Sequence, residues 1–406
     1  MFDLICQCII PVCSRIVWVK GCLGESLLPT MNNYINTVGR GFADFMIPPP
    51  KDVIRFTVGQ PDFDTPIAIR SAAIEELKNG NTFYTRSAGS VELCKGVSSF
   101  LYDKHNISVD WENVVVAPGC KQAILYALMG LGNPGDEVLL LAPAWPTYDA
   151  QIRLVGMVPI HVPVNRENYH PDFDALEHAI TENTKFIFIN SPNNPTGAVY
   201  SPEEIKALVE FADKHDLWII DDMIYSTMVW DGSEYVSPSN IAGGENRTIT
   251  IGGWSKAWSM TGWRLGWATG PAEAMRALQL CQTSAATHVP TFTMKAALVA
   301  LNSEKERIEM NEEFAKRREV IYEGLKDIPQ FYVPKPEGAF YILIDVSGTG
   351  MDDITFATRA LNEAKVQLIP GSLMEGGNGL CRISYATNIE NIKEGCKRLK
   401  NWLNEI

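Results

Sequence analysis

The chain has 406 residues, of which 46% are hydrophobic and 20% charged, and its formal net charge is −13. This length suffices for a large α/β domain with a smaller companion, and the composition is that of a globular protein. The acidic balance, with no long cluster of lysine and arginine, predicts no nucleic-acid surface, but it is compatible with a local positive pocket for an anionic ligand.

The nine cysteines are scattered and contain no CxxC pair. Their spacing supports neither a zinc ribbon nor a thioredoxin-like motif, so no metal site is predicted. Isolated thiols in a chain of this size indicate a reducing compartment, and we expect a cytoplasmic protein.

Residues 1–25 are apolar but interrupted. Asp3 lies where a signal peptide carries positive charge, and Pro11, Arg15 and Lys20 break a run that is too short to span a bilayer. We interpret the segment as an N-terminal extension, with a poor signal sequence or a membrane-surface segment as alternatives, and expect no membrane partner. Residues 26–66 are predicted to form an N-terminal arm and part of a small domain.

Residues 67–300 alternate short apolar runs with helical stretches, which predicts a large domain with a mostly parallel sheet covered on both faces. Helices are predicted over 67–80, 91–105 and 201–215 and directly after the first strand, with strands at 114–117, 137–142, 157–164, 186–190, 217–221 and 248–253. Residues 301–406 begin with a long charged helix. Strands at 337–346, 366–371 and 380–386 and a helix at 351–364 then predict a smaller α+β domain.

Ligands of such sheets bind beyond the carboxyl ends of the strands. Gly119, Cys120 and Lys121 begin a helix directly after a strand, where free N–H groups bind anions, although an ordinary βα turn fits equally well. Trp145, between two prolines past another strand, offers a platform for an aromatic ring, and a core tryptophan is the alternative. Asn194 lies in the stiff loop SPNNPTG.

Two charged residues complete this edge of the sheet. Asp222 ends a buried strand, where a carboxylate needs a cationic partner such as a protonated ring nitrogen, or else a local salt bridge. Lys256 follows a strand in GGWSKAWSMTGWRLGW, with Arg264 eight residues later. A lysine that forms a Schiff base needs a lowered pKa, and arginine can hold a phosphate. An anion site, a stacking platform, an acid and a lysine in this order describe bound pyridoxal phosphate.

The motifs SPNNPTG, DxxY, SKxxSMTGxRxG and RIS occur in that order, and on them residues 52–386 resemble the class I/II aminotransferases (aspartate/aromatic aminotransferase-like). The resemblance implies fold type I: an α/β architecture whose large domain has a mostly parallel seven-stranded sheet, plus a smaller α+β domain. Trp254, two residues before the lysine, departs from the family pattern, in which that residue is usually smaller.

The resemblance also implies roles. Lys256 would form the Schiff base and move the substrate proton, and Asp222 would pair with the pyridine nitrogen. Tyr225 and Asn194 would donate to the cofactor's 3′ oxygen, and Trp145 would stack on its ring. The cofactor phosphate would be held by Gly119, Cys120, Lys121, Ser255 and Arg264.

Substrate and partner contacts follow from the same resemblance. Arg382 would clamp the substrate α-carboxylate, with Gly59, Trp145 and Asn194 as further substrate contacts. Tyr84 resembles the tyrosine that reaches the phosphate of a partner subunit, which implies a homodimer with a shared active site. Residues 281–292, including His288, are expected to line the pocket.

The implied reaction is ping-pong transfer of the amino group from an L-amino acid, aspartate or aromatic, to a 2-oxo acid such as 2-oxoglutarate. One alternative is a C–S β-lyase or an aminocyclopropane-carboxylate synthase on the same fold. Another is the aminotransferase-like domain of a transcriptional regulator, for which the first 50 residues are too few and insufficiently basic.

Overall fold

The computed structural model describes Tyr34 and residues 48–406. The helices there are α1 (Ile67–Lys78), α2 (Val91–His105), α3 (Cys120–Leu131), α4 (Pro146–Leu154), α5 (Phe173–Ala179), α6 (Pro202–Lys214), α7 (Ala272–Ala285), α8 (Thr291–Leu301), α9 (Glu304–Leu325), α10 (Asp353–Arg359) and α11 (Ile389–Glu405). The strands are β1 (Ile54–Arg55), β2 (Val114–Ala117), β3 (Glu137–Ala142), β4 (Val158–Pro163), β5 (Thr184–Ile189), β6 (Trp218–Asp222), β7 (Thr248–Gly253), β8 (Gly266–Thr269), β9 (Tyr341–Asp345), β10 (Val366–Gln367), β11 (Ile369–Pro370) and β12 (Leu380–Ser384).

The large sheet has seven strands in the order β2-β8-β7-β6-β5-β3-β4. Its neighbours from β7 to β4 are parallel, whereas β8 runs antiparallel to both β2 and β7. The predicted mostly parallel, seven-stranded sheet is therefore confirmed. The sequence analysis did not predict β8 as a strand, because its four residues, GWAT, form no apolar run of their own.

Two helices show how local sequence sets the frame. The predicted helix 91–105 has the same bounds in the structure: the Ser90 side chain accepts from the Leu93 N–H at its start, and Asn106 ends it in a left-handed conformation. In α6, which lies within the predicted helix 201–215, the Ser201 side chain and Glu204 form a capping box, with Pro202 in the first turn.

The small sheet is antiparallel, with the order β11-β12-β9, and a separate parallel pair joins β1 to β10. The predicted single strand 366–371 is wrong, because the chain changes partners at Leu368: β10 pairs with β1 and β11 with β12. The predicted strand 337–346 begins only at Tyr341, since Ala339 has a left-handed backbone. In place of the predicted single helix 351–364, the structure has α10 and, directly after it, a π-helical turn over Ala360–Ala364.

The start of the described chain packs with its end. Phe56, next to β1, is buried in one hydrophobic cluster with residues of β9, α9 and α11. This agrees with placing the end of segment 26–66 in the small domain, while the domain boundaries stay predictions. Residues 1–25 and most of the predicted arm lie outside the described residues. In the described part of the chain, no helix is long and apolar enough to cross a membrane.

Candidate active site

A cavity of about 720 Å³ lies at the carboxyl ends of the parallel strands, where β9 and β12 of the small sheet face them. Most of the site residues predicted from the sequence line it. These are Gly59, Cys120, Lys121, Trp145, Asn194, Asp222, Tyr225, Ser255, Lys256, Arg264 and Arg382.

Lys256 follows β7, and its Nζ donates a hydrogen bond to the Gly59 carbonyl oxygen at 2.6 Å. Burial lowers the pKa of Lys256 to about 8, and the positive charges of Arg264 and Arg382 act in the same direction. An appreciable fraction of this amine is therefore unprotonated, and so nucleophilic, near neutral pH.

Asp222 ends β6 and is only 2% exposed. The Tyr148 hydroxyl donates to its Oδ2 at 2.6 Å, and the Ile224 N–H donates to its Oδ1 at 3.2 Å. Burial raises the pKa of Asp222 to about 6, and these hydrogen bonds limit the rise. Among residues 48–406, no lysine, arginine or histidine forms an ion pair with this carboxylate, so a cation entering the cavity would stabilise it.

Its neighbour Asp221 points to the other face of the strand, as the alternation of side chains requires. It accepts hydrogen bonds from the hydroxyls of Tyr235, at 2.6 Å, and Ser237, at 2.9 Å. Burial raises the pKa of Asp221 to about 7. Asp221 does not line the cavity.

Arg382, on β12, is buried, and hydrogen bonds hold its forked guanidinium group on two sides. Its Nη1 donates to Asn194 Oδ1 at 2.9 Å, and its Nη2 donates to the Thr57 carbonyl oxygen at 3.0 Å. The guanidinium lies 4.7 Å from the centre of the Tyr341 ring. Tyr341 also places its hydroxyl 2.8 Å from that of Tyr225.

The start of α3 forms a cradle with Arg264. Gly119 has φ 88°, and a Cβ added there would lie 2.4 Å from Arg264 Nη2, so glycine permits this approach. Arg264 Nη1 is held by the Thr261 carbonyl oxygen at 2.9 Å. Gly119 itself does not line the cavity. Burial raises the pKa of the Cys120 thiol, which is therefore neutral.

Trp145 is half-buried at the start of α4 and packs edge-to-face on Tyr148, with ring centres 5.4 Å apart. The Lys121 Nζ lies 4.8 Å from the centre of the Trp145 ring. Burial, aided by the charge of Arg264, lowers the pKa of Lys121. The Trp145 indole thus forms a flat part of the cavity wall, with the amino group of Lys121 beside it.

Tyr84 and His288 lie together, but away from this cavity. Tyr84 is 89% exposed, and its ring packs edge-to-face on His288, with centres 5.7 Å apart. None of residues 281–292 lines the cavity. Within one chain this segment therefore does not form the wall of the cavity, contrary to the expectation from the sequence. The partner role of Tyr84 stays a prediction.

Nine residues of the cavity wall were not predicted from the sequence, among them Thr57, Tyr148, Asn190 and Tyr341. Tyr148 carried a signal, since it lies three residues after Trp145 and therefore on the same face of a helix that begins there. Tyr341 carried none, because it faces the cavity only through the packing of the small sheet against the large one.

Trp254, the departure from the family pattern, is accommodated. It is fully buried, its Nε1 donates to the Ala297 carbonyl oxygen at 2.9 Å, and its ring packs edge-to-face on Trp267 at 4.7 Å. A buried indole needs such a donor partner, so this substitution does not disturb the segment that carries Lys256.

The residues present fit pyridoxal phosphate. The cofactor needs an amine of lowered pKa, an acid for its ring nitrogen, a flat wall and an anion cradle. Lys256, the unpaired buried carboxylate of Asp222, the Trp145 ring and the Gly119–Arg264 cradle supply these features. Among the described residues, no group of histidine, cysteine, aspartate and glutamate could hold a metal ion.

A site of this kind, at the carboxyl edge of a mostly parallel sheet with a small antiparallel sheet across it, defines the fold type I class of pyridoxal-phosphate enzymes. Residues 51–399 match the family described as aminotransferase class I and II, and the chain belongs to that family. The protein is therefore a transaminase, and family membership implies dependence on pyridoxal phosphate. The regulatory-protein alternative is set aside.

Similar proteins agree in fold and length. The probable aspartate/prephenate aminotransferase of Aquifex aeolicus is 39% identical over 363 residues, which cover 87% of this chain and 92% of that protein. The aspartate aminotransferase structure from Thermus thermophilus with maleate has a TM-score of 0.86 at 32% identity, covering 92% of this chain and all of the other. The aromatic aminotransferase structure from Pyrococcus horikoshii has a TM-score of 0.85 at 35% identity, covering 87% and 96%.

Proposed function

We propose that this enzyme transfers the amino group of L-aspartate to a 2-oxo acid such as 2-oxoglutarate by a ping-pong mechanism, with pyridoxal phosphate bound through Lys256. The observation that carries the proposal is the meeting of Lys256, Asp222 and Arg382 in one cavity. The relatives from Aquifex aeolicus and Thermus thermophilus, which are named as aspartate/prephenate aminotransferases, support aspartate as the donor.

When bound, the cofactor supplies an electron sink for ionisation of the substrate Cα–H bond. Asp222 would keep the ring nitrogen protonated, because a buried carboxylate is stabilised by a cation beside it. Tyr225 and Asn194 would hydrogen-bond the ring oxygen, and Trp145 would cover the ring face. The phosphate would be held by Gly119, Cys120, Lys121, Ser255 and Arg264.

Lys256 would take the proton from the substrate Cα and return it at C4′, the cofactor carbon on the other side of the amino nitrogen. A pKa of about 8 suits this task, since a general base works best with a pKa near the operating pH. Arg382 would bind the α-carboxylate in a bidentate pair, which its fixed fork favours. Its hydrogen bonds to Asn194 and Thr57 orient the fork before substrate arrives.

The basic side chains of the cavity allow a substrate with two carboxylates. The wall carries four of them and one carboxylate, Asp222. Three have assigned tasks: Lys256 as base, Arg264 on the phosphate and Arg382 on the α-carboxylate. Lys121, also assigned to the phosphate from the sequence, lies beside Trp145 and could instead meet the second carboxylate of aspartate.

A pair of measurements on the Lys121→Met variant separates these roles. If Lys121 binds the second carboxylate, KM for aspartate rises about tenfold while KM for an aromatic donor and the cofactor affinity stay close to wild type. If it binds the phosphate, cofactor affinity falls for all donors alike. An unchanged KM for aspartate contradicts the dicarboxylate assignment.

The test of the whole proposal is the visible absorbance of the cofactor-loaded protein. L-Aspartate should abolish the absorbance, and 2-oxoglutarate should restore it. L-Phenylalanine and L-tyrosine in the same assay rank aromatic donors. Release of pyruvate from cystathionine with no 2-oxo acid acceptor would instead favour the β-lyase alternative, and an absence of cofactor absorbance contradicts the proposal.

We also propose a homodimer with a shared active site. The apolar side chains of Phe83, Tyr84 and Leu280 are 80%, 89% and 61% exposed, and Tyr84 lies apart from the cavity of its own chain. Exposed apolar side chains of this size are typical of an interface. Light scattering should give twice the mass of one chain, and Tyr84→Phe should weaken cofactor binding without changing that mass.

We propose a cytoplasmic location. The cysteines of the described chain, Cys94, Cys120, Cys281, Cys381 and Cys396, are all free. Free thiols persist in reducing compartments. Fractionation of cells that produce the natural protein tests this proposal, and recovery with the membranes or outside the cell contradicts it.

A further inference from the structure

Tyr341 contacts three groups that the proposed function uses, although no sequence motif indicates it. It lies on β9 of the small sheet, is 2% exposed and contributes its side chain to the cavity wall. The preceding Phe340 stacks on Phe314 in the core, with ring centres 5.2 Å apart. Phe340 thus anchors the start of β9 in the core, and Tyr341, the first residue of the strand, lines the site.

The first contact is with Tyr225. The two hydroxyl oxygens are 2.8 Å apart, and the rings meet edge-to-face at 5.7 Å. A phenol hydroxyl has one hydrogen to donate but can also accept. When Tyr225 donates into the cavity, the hydrogen bond between the two hydroxyls must be donated by Tyr341. The Tyr341 hydroxyl then fixes the direction of the Tyr225 O–H bond and, by polarising it, strengthens it as a donor.

The second contact is with Arg382. Its guanidinium carbon lies 4.7 Å from the centre of the Tyr341 ring, well within cation–π range. Asn194 and the Thr57 carbonyl hold two nitrogens of the same fork from its edge. The Tyr341 ring therefore supports the face of the guanidinium. It fixes the plane of the Arg382 side chain, and so the plane in which a carboxylate binds to it.

The third contact is with the backbone that holds the lysine. A Cβ added at Gly59 would lie 2.2 Å from the Tyr341 hydroxyl oxygen, so only glycine permits this approach. The carbonyl oxygen of Gly59 accepts from Lys256 Nζ at 2.6 Å. One tyrosine thus lies beside the phenol, the arginine and the carbonyl that contacts the reactive amine.

We propose that Tyr341 is a positioning residue with two separable actions. Its hydroxyl directs Tyr225 at the ring oxygen of the cofactor, and its ring holds Arg382 ready for the substrate carboxylate. The inference rests on the proposed function.

Two variants separate the actions, and a third controls for the loss of a buried hydrogen bond. Tyr341→Phe keeps the ring and removes the hydroxyl, whereas Tyr341→Leu removes both. Tyr385→Phe is the matched control, because Tyr385 is fully buried in the same core and its hydroxyl donates to the Ala339 carbonyl oxygen at 3.0 Å, outside the cavity.

The measurements are the pH midpoint of the visible absorbance of each cofactor-loaded protein, and kcat and KM with 2-oxoglutarate. Tyr341→Phe should raise the midpoint by about half a unit to one unit, because a weaker Tyr225 donor stabilises the anionic ring oxygen less. Its KM should change less than about threefold. Tyr341→Leu should raise KM about tenfold beyond that. The control should change neither quantity.

Two results overturn the inference. One is a midpoint for Tyr341→Phe that equals that of Tyr385→Phe, and the other is a KM for Tyr341→Leu that equals that of Tyr341→Phe. Tyr341→Phe conserves shape, so the first comparison holds even if Tyr341→Leu does not fold. If wild type and Tyr385→Phe bind no cofactor, the proposed function fails, and this inference fails with it.

Discussion

The cavity and a second cluster of charged residues both bury titratable groups, but the pKa shifts differ in direction. In the cluster they favour the charged forms, and in the cavity they favour the neutral forms. In the His170 cluster (His170, Glu204 and Glu337), the imidazole lies 2.8 Å from Glu204 through Nδ1 and 3.1 Å from Glu337 through Nε2. Burial alone would lower the pKa of His170, but these two carboxylates raise it to about 9. In the cavity, burial lowers the pKa of Lys256 to about 8 and raises that of Asp222 to about 6.

The difference lies in the partners. In the His170 cluster both carboxylates face the imidazolium, so the pKa shifts favour the charged forms and stabilise the fold. Lys256 and Asp222 form no ion pair among the described residues, so their shifts favour the neutral forms and reduce stability wherever they are ionised. Buried charges that lack a partner of opposite charge indicate a site that a ligand completes. The His170 cluster instead joins the start of α6 to the segment before β9.

The Lys256→Ala variant should give the largest effect. Without the amine, kcat should fall by at least about 10⁴-fold, because both the covalent attachment and the proton carrier are lost. Stability without cofactor should not fall at pH 7, since burial of the charged amine opposes folding there. Single-turnover kinetics with aspartate and urea unfolding test the two statements. Residual activity well above about 0.01 per cent of wild type contradicts the first.

Asp222→Asn should separate function from stability. We expect kcat to fall about 10³-fold, because a neutral amide cannot keep the ring nitrogen protonated. The pKa of Asp222 in the folded chain is above its ordinary value of 3.8, so the carboxylate opposes folding once it ionises. Wild-type stability without cofactor should therefore fall as pH rises from 4 to about 6, and the variant should lack this fall.

At pH 7 the Asp222→Asn protein should be more stable than wild type by about 1–3 kcal/mol, measured by urea unfolding without cofactor. The matched control is Asp221→Asn, one residue away on the opposite face of β6, which should keep kcat within about threefold of wild type. Equal loss of activity in both variants would mean that the carboxylate acts through the strand and not in the cavity.

His170→Gln should give the smallest effect. Unlike Asp222→Asn, it should lower the free energy of unfolding. Because the folded pKa is raised, the stabilisation is fully present below the ordinary value of 6.5 and is lost as pH rises through about 9. At pH 7 the variant should lose about 1–2 kcal/mol in urea unfolding, with kcat unchanged. His178→Gln, at an exposed histidine on α5, is the control and should cost less. If the stability difference between wild type and His170→Gln did not change from pH 6 to 9, the claim that the His170 cluster stabilises the fold through its charges would be contradicted.

The sequence predicted those parts of the site that depend on one strand and the residues after it. Gly119, Trp145, Asn194 and Lys256 each follow a strand of the same sheet and Asp222 ends one, and the parallel order brings four of these five to the cavity wall. The positions of the strands came from apolar runs bounded by turns. Only β8, four residues long and antiparallel, had no such signal.

The rest depends on packing between distant segments. Tyr341 and Thr57 line the cavity because the small sheet faces the large one, and no local pattern encodes that approach. The change of strand partner at Leu368 likewise depends on distant segments, because β1 pairs with the residues before it and β12 with the residues after it. Tyr84 and His288 could not be assigned to one cavity, because their predicted role requires a second chain.

The most direct test of the account is the identity of the lysine that binds the cofactor. The wild-type protein would be incubated with pyridoxal phosphate at pH 8, reduced with borohydride, digested and analysed by mass spectrometry. The account predicts one pyridoxyl group, on Lys256, and its absence from Lys256→Ala. A label on Lys121 in place of Lys256, or no label above that on exposed lysines, would contradict it.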